Sequence, residues 1–132
     1  MEKWRRVWRE GLAPNLPVAG LLALERALRD DDPRLLQGVV STPPPFEAVR
    51  NATVTSCCAI CYCGWKGDRL RTVGEVEAFY HRICESADAV FSEAAACRFF
   101  LNWYDATPRY EMRHEMLGEV RRTLARRTPA AA

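Results

Sequence analysis

A chain of 132 residues is long enough for one ordinary domain, burying roughly two-thirds of its unfolded surface without disulfide or metal staples. A hydrophobic content of 48% beside 27% charged residues excludes an intrinsically disordered polymer. Nineteen basic residues against 17 acidic ones leave +2, so nothing at whole-chain level demands a polyanionic partner.

Trp4, Val7, Trp8 and Leu12 share one face of a first helix, with Arg5, Arg6 and Arg9 opposite. Ala13-Pro14-Asn15 bends the chain out of it. Pro17 suits the first turn of a second helix, whose core side is Leu21, Leu22, Leu24, Ala27 and Leu28. Asp30-Asp31-Asp32 stops that helix, and Asp32-Pro33 predicts a short third one to about Gln37. The basic start followed by the apolar run 18–24 loosely suggests a signal peptide. Trp4, Val7, Trp8, Pro14 and Pro17 interrupt that pattern, and Glu25-Arg26 stand where a small-residue cleavage site belongs. No apolar run approaches the ~20 residues of a membrane span. The expected setting is cytoplasmic, where thiols stay reduced and the sequon at Asn51 carries no weight.

Pro43, Pro44 and Pro45 mark residues 38–52 as a Pro-rich loop, a rigid connector before it is a ligand for a partner domain. The stretch "ATVTS" at 52–56 is the single candidate strand. Thr72 with Glu75 is a capping box, predicting a helix from Val73. Its buried face is Val76, Phe79, Tyr80, Ile83 and Cys84, and Glu77, His81 and Glu85 form its exposed stripe. Ser92 is the expected cap of the next helix, "EAAACRFFLNWYDA", apolar over a wide arc. Thr107-Pro108 opens the last helix, with Met112, Met116, Leu117, Val120 and Leu124 inward. The fold expected is an all-α, single-domain bundle of about five or six helices over 1–128, with a frayed tail at 129–132.

"SCCAICYCGWKGD" holds four of the six cysteines. Cys57, Cys58, Cys61 and Cys63 are close enough in sequence to share zinc or an iron–sulfur cluster, since thiolates are the donors soft metals prefer. Cys84 and Cys97 could complete such a site from two other helices. Against metal, the cysteines form one clump and not two separated pairs, and adjacent Cys57 and Cys58 point apart on a helix. Packed thiols in the core are the simplest reading. Redox chemistry at Cys58-x-x-Cys61 is the third, with Lys66 or Arg69 near enough in sequence to lower a thiol pKa, although the strand–C-x-x-C–helix context is not evident.

Other constellations are weaker. His81 and His114 both read as surface residues, so no Cys–His dyad stands out. "GWKGD" lacks the spacing of a phosphate loop. Asp105 and Glu111 read as helix-end charges. Trp4 and Trp8 pack on the bundle or, if unsatisfied there, dock on a protein partner or a second copy. Arg121 and Arg122, with Arg126 and Arg127, are a solvated helix end or an interaction surface; Glu111, Glu115 and Glu119 make nucleic acid an unlikely partner.

The stretches "CGWKGDRLRTVGEVEAFY" and "CRFFLNWYDATPRYEMRHEMLGEVRRTL" resemble parts of small uncharacterised proteins of high-GC bacterial genomes. That resemblance covers the second half of the chain and implies a bacterial, cytosolic, one-domain protein. The group has no assigned activity, so no catalytic residue carries over. The function expected is therefore protein–protein interaction or self-association, without catalysis or cofactor. The alternative is a thiol-based metal (Zn or Fe–S) or redox protein using Cys57, Cys58, Cys61 and Cys63.

Overall fold

The computed structural model describes residues 1–38 and 50–127, an all-α bundle around one hydrophobic cluster. Most of the Pro-rich loop, and the tail at 129–132, lie outside the described residues. Helix α1 spans Lys3–Arg6 and runs without a break into a π-helical stretch, Val7–Leu12, and a 3₁₀ turn, Ala13–Asn15. The helices that follow are α2 Val18–Asp30, α3 Ala59–Gly67, α4 Val73–Phe91, α5 Cys97–Ala106 and α6 Arg109–Arg127. No described helix is long and apolar enough to cross a membrane.

Local chemistry explains most helix ends. Asp31 takes the left-handed conformation, φ 51°, and the Asp32 N–H donates back to the Ala27 carbonyl at 2.9 Å, which stops α2. At the start of α4 the Thr72 hydroxyl accepts from Glu75 N–H at 3.2 Å, and the Glu75 carboxylate accepts from Thr72 N–H at 3.0 Å.

Three expectations are corrected. The short helix after Pro33 does not form. Asp32 instead accepts the Arg34 backbone N–H and its guanidinium, closing a single turn. Leu35 then pairs in extended form with Cys57, the Leu36 N–H donating to Cys57 O at 2.8 Å. Ser92 ends α4 in the left-handed conformation and does not begin the next helix. Residues 93–96 are turns, and α5 starts at Cys97, whose N–H is taken by Asp88 of α4 at 3.0 Å. The "ATVTS" stretch makes one isolated bridge, Thr53 to Thr72, and no strand occurs among the described residues.

The π-helical stretch was not foreseen either. Its ladder closes with the Ala13 N–H donating to Trp8 O, five residues back. The N-terminal segment lies across the others with Val7, Trp8 and Leu12 fully buried. Trp4 stacks on Trp103 of α5 at 3.5 Å between ring centroids, and Trp8 stacks on Phe100 at 5.5 Å. Two glycines set α3 deep in the bundle. A Cβ at Gly20 of α2 would lie 2.2 Å from the Cys63 carbonyl oxygen, and one at Gly64 would lie 2.6 Å from the Phe79 ring of α4. Helix α3 is therefore wedged between α2 and α4 at distances that only glycine permits.

Candidate thiol site

Thr53 and Cys57 make isolated bridges, Cys58 is extended, and the helix begins at Ala59. Cys57 is clamped at both ends, its N–H donating to Arg34 O at 3.0 Å and its carbonyl accepting from Leu36. Cys58 is the N-cap of α3, with φ −71° and ψ 173°, and its carbonyl accepts the first helical bond from Tyr62 N–H at 2.8 Å. Cys61 follows one turn later. The C-x-x-C thus opens a helix, as it does in thiol redox motifs. The segment before the helix makes only isolated bridges and is not a strand, so the fold supplies the C-x-x-C at a helix start and not the strand that precedes it in such motifs.

The electrostatics separate the two sulfurs. The neighbouring Cys61 thiol holds the Cys58 thiol below its ordinary pKa, opposed by burial and helped by the backbone N–H groups of Cys61 and Ile60. Those N–H groups act as partial positive charge at a helix start, since the sulfur completes no capping hydrogen bond of full geometry. The same contact pushes Cys61 up, with burial and the neighbouring Cys58, Cys57 and Cys84 adding to it. The two thiols of the pair are thus shifted in opposite directions, Cys58 down and Cys61 up. Cys58 retains some exposed surface, but its sulfur is closely surrounded by protein atoms.

Cys63 lies deeper than the other three. It is fully buried, its backbone against Gly20 of α2, and burial raises its thiol pKa. Cys57 is also raised, by burial and by Cys58. The four cysteines grouped by sequence differ in depth, three half-buried at the start of α3 and Cys63 in the core, where Cys58 and Cys57 still act on its thiol. Among the described residues no group of three or more His, Cys, Asp or Glu side chains is placed to hold a metal.

A second thiol pair emerges from the fold. Cys84 of α4 and Cys97 of α5 are close enough for each thiol to act on the other, and Tyr80 acts on Cys84. Burial raises both thiols, and Cys58 is close enough to act on Cys84. The sequence offered these residues as apolar-face positions that could complete a metal site, and not as a pair with each other. Tyr104 of α5 forms another wall, its hydroxyl donating to Leu36 O at 2.6 Å.

The remaining candidates are dispersed. Trp4 and Trp8 are core residues, 5% and 0% exposed, so neither indole is on the surface where a partner would meet it. Arg121 is exposed and pairs with Glu25 at 3.3 Å, whereas Arg122 lines a groove against the N-terminal segment. His81 and His114 are exposed. Glu119, expected on a solvated face, is 3% exposed and takes Arg5 at 3.2 Å and Arg9 at 2.6 Å. In comparisons with known proteins, no family model, curated protein or solved structure matches this chain.

Proposed function

We propose that the protein performs thiol–disulfide exchange, with Cys58 as the attacking thiolate and Cys61 as the resolving thiol. The observation that carries this reading is Cys58 at the N-cap of α3 with the Cys61 thiol against its sulfur. The thiolate is the nucleophile in such exchange, and a helix start is where it is stabilised. Cys58 Sγ attacks one sulfur of a substrate disulfide. The substrate S–S bond breaks, and the departing thiolate takes a proton from water. Cys61 then loses its proton to water and attacks Cys58 Sγ in the mixed disulfide. The second substrate sulfur leaves as a thiolate and is protonated. In balance, the chain's two thiols become a disulfide while the substrate disulfide is reduced to two thiols. The crowding around Cys58 favours a small disulfide over a protein one. A docking function gains no support from Trp4 and Trp8, because both are consumed by the core.

The test is anaerobic alkylation of the native protein across pH, with the labelled cysteine identified by mass spectrometry. Cys58 is expected to react first, with a midpoint below that of an ordinary thiol, and Cys61→Ser is expected to trap a mixed disulfide with an aromatic disulfide probe. Thiols that stay silent until the fold is melted would overturn the proposal. So would about one zinc or iron per chain, lost on Cys58→Ser, which assigns the pair to metal binding instead.

A further inference from the structure

A groove of about 400 Å³, with no cysteine among its described lining residues, runs between the N-terminal segment and the end of α6. Arg6 and Arg9 line one wall, Arg122, Arg126 and Arg127 the other, and Glu10 is the single carboxylate among the described residues that line it. The available negative charge is already committed. Glu10 is engaged by Arg6 at 3.2 Å. Arg9 is matched by Glu119, which also serves Arg5. Arg127 is spent on the carbonyls of Ala13 and Leu16. Arg122 and Arg126 have no ion-pair partner among the described residues, although they sit one turn apart on the same helix.

Two like charges at that spacing destabilise a helix. The dipole at the end of α6 accounts for Arg126 and Arg127 in the last turn, but its effect fades before Arg122. Partial burial, with Arg126 and Arg9 nearby, outweighs the attraction of Glu119 and disfavours the charged form of Arg122. The opposite wall includes the π-helical stretch, a departure from regular helix that recurs at functional sites and that carries Arg9. Guanidinium forks on two facing walls suit the tetrahedral oxygens of a phosphate, which accepts several charge-assisted bonds at once.

We propose that this groove binds a small phosphorylated anion, its phosphate held by Arg122 and Arg126 with Arg9 and Arg6 on the facing wall. The site is independent of the thiol reading and neither needs nor supports it.

Calorimetric titration of the full chain with inorganic pyrophosphate tests it. Saturable one-to-one binding is expected, weakening steeply as salt rises, because the attraction is largely Coulombic. Arg122→Gln with Arg126→Gln is expected to weaken binding at least about tenfold, while Arg121→Gln, outside the groove, leaves it unchanged. Without ligand the double variant is expected to melt no lower than the parent, since it removes a like-charge pair; a clear drop would mark a structural role and overturn the proposal. Arg122→Lys retains the charge without the fork and is expected to fall between parent and double variant. Absence of saturation, or binding indifferent to the double substitution, also overturns it. Binding of an oligonucleotide or anionic vesicles that pyrophosphate does not compete away would replace the small-anion site with an extended polyanion surface.

Discussion

Where the N-terminal segment crosses α5 and α6, large side chains fill the interface. Trp4 lies flat on Trp103, Trp8 on Phe100, and Arg5 and Arg9 close over Glu119. Where α2 crosses α3, the interface is made by the absence of a side chain, with Gly20 against the Cys63 carbonyl. The first contact joins elements from the two ends of the chain through area and charge. The second holds α3 deep enough that Cys58 and Cys61 meet the walls formed by α4 and α5. An interface made of large side chains announces itself in sequence as an aromatic face. One made of backbone contact shows only as glycines inside helices, which read as weaknesses.

The comparison is broken most severely at Trp8. Trp8→Ala removes a fully buried indole and leaves the Thr123 hydroxyl without its 3.3 Å donor, so a loss of about 3–5 kcal/mol is expected from denaturant unfolding. Alkylation of Cys58 in the folded fraction should be unchanged, because the damage is at the other interface.

Gly20→Ala attacks the second contact. Its new Cβ meets backbone that no rotamer change can move aside, so about 3 kcal/mol is expected to be lost. Here the Cys58 alkylation rate should change together with stability, since α3 must shift to make room. Equal effects of both substitutions on that rate would show that the two interfaces are not separate in the way described.

Glu119→Gln gives the smallest effect and sharpens the ionic half of the first interface. Burial opposes the Glu119 charge, but Arg9 and Arg5 outweigh it and hold the carboxyl below its ordinary value. The arginine side chains are 21% and 25% exposed, so the loss is expected to be about 2 kcal/mol, less than for a fully buried pair. A depressed folded pKa contributes stability above the unfolded value of about 4.3 and loses it as pH falls through the lower folded value. Unfolding curves of parent and variant should therefore differ at pH 7 and converge as the solution is acidified through that window.

Asp32 is governed by the same sign. The Arg34 guanidinium and backbone N–H hold its carboxyl at about 2. That turn directs Leu35 onto Cys57, which links an acidic stop signal legible in the sequence to the placement of the thiols.

By itself the sequence determined the all-α class, the approximate position of four helices, the stop at the aspartates and the capping box at Thr72 and Glu75. These are local matters: a cap acts within one turn, and apolar spacing states which face of a helix avoids water. Residue identity also marked Cys58 and Cys61 as a C-x-x-C pair. Only the tertiary structure decided that Cys58 caps α3, because cysteine has little capping preference and the extended chain before it is held by Leu35 and Arg34, more than 20 residues earlier. Only it set Cys63 in the core, brought Cys84 beside Cys97, buried Glu119 and brought Arg9 opposite Arg122. Each of those outcomes depends on which helix meets which and how closely. That is set by packing between residues distant in the chain, where no local pattern reports.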